Sequence, residues 1–171
     1  MNAGSAVFNI AASRDGKLII AGTRSGLTVW GAESRSKGTE FRAHGNWVRA
    51  VGVLPDATKI VTGSNDKTAC IWSLSTGKNL LGPLEHDNWV VAAPDGRLIA
   101  TATWDRSVWV YDSQNGSLLA DFPVQVYSAF NQSLAWARDS KQLFALSRDG
   151  YILSVRQDHA VEMAHSQHQQ S

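Results

Sequence analysis

Apolar residues occur along this chain in short runs rather than at helical spacing. Each run leads through a polar turn into a second, alternating run that ends at Trp30, Trp72, Tyr111 or Val155. Segments of about 4 to 8 residues, rich in Val, Ile, Thr and aromatic residues and bounded by Gly, Asp, Asn and Ser, are typical of β-strands. A helix needs a longer uninterrupted period, which is absent here. The pattern predicts an all-β protein. The first runs are Leu18–Ala21, Lys59–Thr62, Leu98–Thr101 and Leu143–Leu146.

The chain repeats itself at a shift of 42 residues, which superposes His44 on His86, Trp30 on Trp72 and 46–48 on 88–90. An aspartate-centred triplet precedes each first run, and successive triplets are 41, 39 and 44 residues apart. A period of about 20 to 50 residues indicates an array of structural repeats. We predict a repeat region over 5–157 and a polar, disordered tail over 158–171. The expected units are approximately 5–43, 44–85, 86–122 and 123–157.

Composition narrows the class of protein. The chain has 171 residues, 43% of them apolar, with 16 Lys+Arg against 15 Asp+Glu and the single cysteine Cys70. It is long enough to bury a core, and the net charge of +1 lacks the basic excess expected of a nucleic-acid binder. No apolar run approaches the ~20 residues of a membrane helix, and no secretory leader is evident. We expect an intracellular protein, cytoplasmic rather than nuclear, that binds neither nucleic acid nor membrane.

Unit two carries the clearest motif: Ala43-His44, Trp47-Val48, Pro55-Asp56, Thr62–Asp66 and Ile71-Trp72. This motif resembles the WD repeat (WD40), and the resemblance covers most of the chain. It implies an all-β fold of four four-stranded β-propeller blades. It also implies that His44, Thr62, Asp66 and Trp72 form a buried hydrogen-bonded tetrad. Such a role suits polar groups that must find partners inside a protein. The alternative, a catalytic Asp-His-Thr set, is disfavoured because Trp72 has no function in a catalytic triad.

The other units depart from this pattern. Unit three retains His86, Thr101 and Asp105, but has Tyr111 in the tryptophan position and lacks three residues between His86 and Pro94. Because an odd deletion reverses side-chain alternation, we predict that the strand beginning at Trp89 ends early. Units one and four lack the histidine, so we expect only unit two to contain the complete tetrad. The amino-acid sequences of the repeats resemble those of WD-repeat regions of fungi. Such regions often form the sensor end of larger NTPase signalling proteins.

The resemblance implies that a protein or peptide partner meets the rim of the blades. The matching positions lie after the histidine and before the turn aspartate. Trp and Arg dominate the binding energy of many interfaces, although an aromatic residue after the histidine also packs structurally in many WD repeats. No phosphate-binding loop or firm metal-ligand set is present, so we expect no cofactor and no metal. The predicted partner-binding residues are Trp47, Arg49, Asn65, Trp89, Trp104 and Arg148.

Three functions compete at this point. The first is a non-catalytic interaction scaffold or recognition module. The second is an incomplete propeller fragment without independent function, because four units are the lower limit of propeller size. The third is an enzyme with a central-channel site, which would need charged or metal-binding residues repeated at channel-facing positions. We expect an open or incomplete propeller, whose exposed blade edges could support self-association.

Trp104 offers a direct test of the rim, because Asn65 and Arg148 occupy its position in other units. We expect Trp104→Ala to weaken partner binding by ~2 kcal/mol or more and to leave the melting temperature nearly unchanged. Affinity measurement and thermal unfolding check this expectation. A large loss of stability would instead show that Trp104 belongs to the core.

Overall fold

The computed structural model describes residues 3–24, 26–85, 89–102, 107–123, 134–146 and 152–156. Regular structure within these ranges consists of β-strands, grouped into four antiparallel sheets in which each strand pairs with the next along the chain. The described residues include no helix with the length and apolarity needed to span a bilayer. The predicted all-β fold is confirmed. We call the sheets blades 1 to 4.

The first three blades have four described strands each, and the fourth has three. Their inner strands lie side by side, so that β1 contacts β5, β5 contacts β9 and β9 contacts β13. Among the described strands, blades 1 and 4 make no comparable contact, and the array is an incomplete propeller. Blade 1 contains β1 (Asn9–Ala12), β2 (Leu18–Gly22), β3 (Gly26–Gly31) and β4 (Lys37–Arg42); blade 2 contains β5 (Val48–Val53), β6 (Lys59–Ser64), β7 (Thr68–Ser73) and β8 (Asn79–Glu85); blade 3 contains β9 (Trp89–Ala92), β10 (Leu98–Ala102), β11 (Ser107–Asp112) and β12 (Leu118–Pro123); blade 4 contains β13 (Leu134–Trp136), β14 (Gln142–Leu146) and β15 (Ile152–Arg156).

The aspartate-centred triplets form the same turn between the first two strands of every blade. In blade 2, Asp56 accepts a hydrogen bond of 3.0 Å from the backbone N–H of Thr58, and Ala57 has a φ of 52°. An Asp side chain that bonds the backbone two residues ahead stabilises such turns. The equivalent carboxylates accept at 3.0, 3.0 and 2.9 Å in the other blades. The residues with positive φ after them are Gly16, Gly96 and Ser140.

Hydrophobic cores lie between consecutive blades. Val51 of β5 packs toward blade 1, whereas its neighbour Ala50 packs toward blade 3. Blade 2 is therefore covered on both faces, which explains why its central strands are apolar at successive positions. The core of blades 1 and 2 contains Ile20, Leu27, Val29, Val48, Val51, Ile60, Cys70 and Trp72.

Blades 1 and 2 approach closely at Gly22. A Cβ atom there would lie 2.8 Å from Val51 Cγ2 and 2.9 Å from Val48 Cγ1. The backbone N–H of Val48 donates to the Thr23 carbonyl at 3.0 Å, and the N–H of Val51 donates to Asn9 Oδ1 at 3.2 Å. The missing side chain at Gly22 thus lets backbone groups of adjacent blades reach hydrogen-bonding distance.

The prediction that the strand starting at Trp89 ends early is wrong. Strand β9 ends at Ala92 opposite Ile99, and β5 ends at Val53 opposite Ile60, which is the same register position. Strand β9 is shorter because it starts later. The residues that unit three lacks precede the strand, so the alternation of side chains within it is preserved.

A β-bulge in β5 explains why the first strands of blades 2 and 3 differ in length. In β5, Val48 lies opposite Ser64 and Ala50 opposite Gly63, so Arg49 is an extra residue on its strand. Trp89, opposite Ala102, occupies the register position of Ala50. The sequence shift that aligned Trp89 with Trp47 therefore does not hold within the sheets.

Gly22→Ala should reduce the free energy of unfolding by about 1–3 kcal/mol, because the added methyl group overpacks the contact between blades 1 and 2. Urea unfolding followed by circular dichroism measures the change. Gly45→Ala is the matched control, since a Cβ at that exposed residue would have only an Asp66 carboxylate oxygen as a neighbour, at 3.9 Å. Equal stability of the two variants would contradict the role assigned to Gly22.

Candidate functional site

Blade 2 contains a continuous chain of side-chain hydrogen bonds. Trp72 Nε1 donates to Thr62 Oγ1 at 2.8 Å, and Thr62 Oγ1 lies 2.6 Å from His44 Nε2. His44 Nδ1 lies 3.0 Å from Asp66 Oδ2. An indole N–H can only donate, and an ionised carboxylate can only accept. When His44 is neutral, its Nδ1 donates to the Asp66 carboxylate, and its Nε2 accepts from the hydroxyl of Thr62.

The carboxylate of Asp66 joins two loops. It accepts from the backbone N–H of Gly45 at 2.9 Å and from the hydroxyl and N–H of Thr68 at 2.6 and 3.1 Å. Desolvation raises the pKa of Asp66, but the hydrogen bonds from Thr68, Gly45 and His44 outweigh it and hold the pKa below its usual value. Asp66 thus remains ionised and ties the segment before β5 to the turn between β6 and β7.

His44 is held in its neutral form. Burial lowers the pKa of His44, and this effect exceeds the opposing attraction of the Asp66 carboxylate. The contact between the two side chains is accordingly a hydrogen bond to a charged acceptor rather than a full ion pair. A second proton, on Nε2, would also displace the hydrogen bond that Thr62 donates there.

The geometry of these four residues is that of a structural network. Thr62 is completely buried, and His44 is 5% exposed, so the central atoms have no access to a substrate. The polar groups of these four side chains form their hydrogen bonds within the blade, which favours one strand arrangement over others. In the part of the chain that the structure describes, no three His, Cys, Asp or Glu side chains are grouped as metal ligands would be.

In blade 3 the described residues include two of the four predicted tetrad members. Tyr111 lies opposite Ile99, as Trp72 lies opposite Ile60, and burial raises the pKa of its phenol. Thr101 is completely buried, and its hydroxyl has no hydrogen-bond partner among the described residues. The other two predicted members, His86 and Asp105, lie outside the described residues.

A second cluster lies at the rim where blades 1 and 2 meet. The rings of Phe8 and Trp47 are stacked, with centroids 4.8 Å apart and an interplanar angle of 11°. The guanidinium carbon of Arg49 lies 4.7 Å from the Trp47 centroid and 5.0 Å from the Phe8 centroid, so the three groups form a nearly equilateral triangle. Arg49 Nε donates to Asn65 Oδ1 at 3.2 Å. We call Phe8, Trp47, Arg49 and Asn65 the rim cluster.

Local backbone features position the rim cluster. The bulge in β5 re-aims the Arg49 side chain toward the rings. The Trp47 carbonyl accepts from the N–H of Asn65 at 2.9 Å, and the N–H of Phe8 donates to the Gly22 carbonyl at 2.9 Å. All four side chains are half-buried, so they are held on one side and open to solvent on the other.

The structure brings together three of the predicted rim residues, namely Trp47, Arg49 and Asn65. Sequence reasoning missed Phe8, because unit one lacks the histidine from which rim positions were counted. A usable signal existed: Phe8 precedes Arg49 by 41 residues, the shift between the first two aspartate triplets. Trp104, Arg148 and the side chain of Trp89 lie outside the described part of the chain.

The tetrad predicts how stability depends on pH. An unfolded histidine has a pKa of about 6.5, and the pKa of folded His44 is lower. Between these values the unfolded chain binds more protons, so the free energy of unfolding should fall as the pH falls below about 6.5. The lowered pKa of Asp66 should add a second loss only below about pH 4.

Two measurements check this dependence. Denaturant unfolding from about pH 7.5 to 5 should show the decrease for the wild type and a shallower one for His44→Gln. An NMR titration should give the His44 imidazole a pKa below that of the unfolded chain. A rise in stability on acidification, or an ordinary imidazole pKa, would contradict the proposed direction of the hydrogen bonds.

Comparison with known proteins identifies the repeat. The model for the family described as WD domain, G-beta repeat, matches residues 35–73 and 79–112. The small ribosomal subunit protein RACK1y of Oryza sativa subsp. japonica is 30% identical over 135 residues, which cover 74% of this chain and 39% of that protein. RACK1 of Caenorhabditis elegans is 25% identical over 150 residues, covering 82% and 46%. Actin-interacting protein 1 of Drosophila melanogaster is 33% identical over 94 residues, covering 53% and 16%.

The chain spans less than half the length of each of these relatives. The resemblance to fungal repeat regions stays a prediction, because proteins of similar identity come from a plant, an insect, a nematode and the fungus Neurospora crassa. The first family match contains His44, Thr62, Asp66 and Trp72, and the second contains Thr101 and Tyr111. The repeated turn, the four-stranded blades and these similarities lead to one conclusion: the chain belongs to the WD-repeat (WD40) family.

Proposed function

We propose that this chain is a non-catalytic platform that binds a protein or peptide partner at the rim of its blades. The observation that carries the proposal is the rim cluster, in which two aromatic rings and a guanidinium group are fixed at the surface. Trp, Tyr and Arg are the residues most enriched among those that dominate interface energies. The buried polar side chains of blade 2, in contrast, satisfy one another and leave nothing free for chemistry.

The rim cluster is prepared for binding before a partner arrives. Side chains that are immobile in the free protein lose little conformational entropy on association, whereas a mobile side chain costs about 0.5–1.5 kcal/mol. Stacking holds Trp47, and Asn65 holds Arg49. The partner would therefore gain contact area without an ordering cost in this part of the surface.

The same rim would continue onto the later blades. We include Trp104 and Arg148 in the proposed surface because they match Asn65 in the corresponding turns of the repeat, whereas Trp89 stands at the register position of Ala50 rather than that of Trp47. Activity in signalling and a cytoplasmic location are further parts of the proposal.

Relatives support binding as a class of function. The names of two of them state an interaction with actin and membership of the small ribosomal subunit. We propose neither partner for this chain, because its similarity to those proteins covers only part of their length.

Self-association is a second candidate function, and it would use the exposed face of blade 1. Ile10 of β1 is 67% exposed, and it precedes Val51 by 41 residues. Val51 packs against blade 1, so Ile10 marks the face that another blade would cover. Light scattering on the samples prepared for the binding experiment below gives their molar mass, and a monomer at every concentration would exclude this candidate.

Trp47→Ala tests the platform. We expect proteins captured from a lysate by the wild type to fall at least about tenfold with Trp47→Ala, because the loss of a central aromatic anchor costs ~2 kcal/mol or more. Trp47→Phe should retain part of the capture, since a phenyl ring can still stack on Phe8. Quantitative mass spectrometry measures the captured proteins, and thermal unfolding verifies that the variants are folded.

Leu118→Ala provides the matched control. Leu118 is an exposed apolar residue at the start of β12, at the end of its blade opposite to the rim cluster. Its capture profile should equal that of the wild type. If the Trp47→Ala variant is folded and captures the same proteins in the same amounts as the wild type, the proposed platform at Trp47 is wrong.

A further inference from the structure

We propose that the rim cluster recognises a carboxylate in an acidic segment of the partner, with the terminal guanidinium nitrogens of Arg49 as its receptor. The inference rests on the proposed function and specifies the chemistry of the partner. It depends on the bonding of Arg49, on how its side chain is fixed, and on the charges around it.

Arg49 has unused hydrogen-bonding capacity. A guanidinium carries five N–H donors, and among the described residues only the donor on Nε is paired, with Asn65. In the described part of the chain, Lys37 forms an ion pair with Glu40, and the Asp66 carboxylate is hydrogen-bonded to neutral His44. No described carboxylate lies within ion-pair distance of Arg49. The two terminal nitrogens therefore remain available for a bidentate acceptor.

The guanidinium plane is fixed in advance. Phe8 and Trp47 lie 5.0 and 4.7 Å from its central carbon, and Asn65 holds Nε from another side. A cation near aromatic rings is attracted by their electron-rich faces, and arginine also stacks on them. Since the fork of an arginine matches the geometry of a carboxylate, a fixed fork selects for that group over a single acceptor atom.

The charges at this end of blades 1 and 2 favour an acidic partner. Because antiparallel strands alternate in direction, the β2–β3 turn, the β6–β7 turn and the start of β5 lie at the same end of these blades. They contribute the cations Arg24, Arg49 and Lys67. The one carboxylate with a described side chain in these turns is Asp66, and it is engaged by His44, Gly45 and Thr68. An approaching acidic segment thus meets a positive surface.

A nucleic acid fits the same surface less well. Proteins that bind single-stranded nucleic acid without sequence preference combine a continuous basic groove with open aromatic faces on which bases stack. Here the two rings face each other and Arg49 lies against both, while the whole chain has a net charge of only +1. A glutamate or aspartate beside an apolar residue matches the available groups better, because the carboxylate meets Arg49 and the apolar side chain meets the ring edges.

A pair of peptides tests this recognition. One alternates glutamate with leucine, and the other replaces every glutamate with glutamine, which keeps shape and removes charge. NMR titration of the ¹⁵N-labelled chain should move the Arg49 Nε–H and Trp47 indole signals in a saturable way with the glutamate peptide. The glutamine peptide should bind at least about tenfold more weakly, since its amide has one acceptor oxygen in place of the two that the guanidinium fork binds and lacks the charge that attracts Arg49.

Variants at both ends of the blades complete the test. Arg49→Gln should reduce affinity for the glutamate peptide about tenfold or more, and Arg49→Lys should restore only part of it because lysine lacks the fork. Arg14→Gln, an exposed residue at the opposite end, should bind like the wild type. Equal binding of the two peptides, unchanged affinity of Arg49→Gln, or tighter binding of a single-stranded oligouridine would each overturn the proposal.

Failure of this inference is distinguishable from failure of the platform. If Trp47→Ala loses its captured proteins while Arg49→Gln retains them, the platform stands and carboxylate recognition is wrong. If neither variant loses captured proteins, the proposed function itself is wrong.

Discussion

The hydrogen bond between His44 and Asp66 is the interaction on which the rim depends. It joins the segment before β5 to the turn between β6 and β7, and those two segments carry Trp47 and Asn65. Burial keeps His44 neutral, and the donors around Asp66 keep it ionised. The link therefore has a fixed donor and a fixed acceptor. A network with a defined direction holds its loops more uniquely than a set of interchangeable contacts would.

Blade packing supplies the second constraint. Phe8 belongs to the segment before β1, whereas Trp47 and Arg49 belong to the segment before β5 and to its bulge, so the rim cluster exists only where blades 1 and 2 are in register. Close approach at Gly22 and the hydrogen bond from Val48 to Thr23 set that register. Stability and recognition thus share residues in this region, and a variant that loosens the blades should also disturb the surface.

Several features could be predicted from sequence because they depend on local chemistry. The aspartate turns are specified by an Asp that bonds the backbone two residues ahead, and all four form. The tetrad of blade 2 was implied by the resemblance to the WD repeat, whose motif residues match His44, Thr62, Asp66 and Trp72. The register of β9 was not predictable, because a shift counted along the chain cannot reveal on which side of a strand residues were deleted. The bulge at Arg49 was invisible for the same reason, and with it the true register position of Trp89.

The sequence by itself determined the all-β class, the repeat and the turns, because these follow from residue types and their spacing along the chain. The candidate rim positions Trp47, Arg49 and Asn65 followed from the resemblance of that repeat to the WD repeat. Tertiary structure alone decided that Phe8 stacks on Trp47 and that Arg49 lies against both rings. The contacts of Phe8 with Trp47 and Arg49 join residues about 40 positions apart in different blades. Their geometry is set by the bulge in β5 and by the distance between the blades, and neither quantity is encoded in any local pattern of residues.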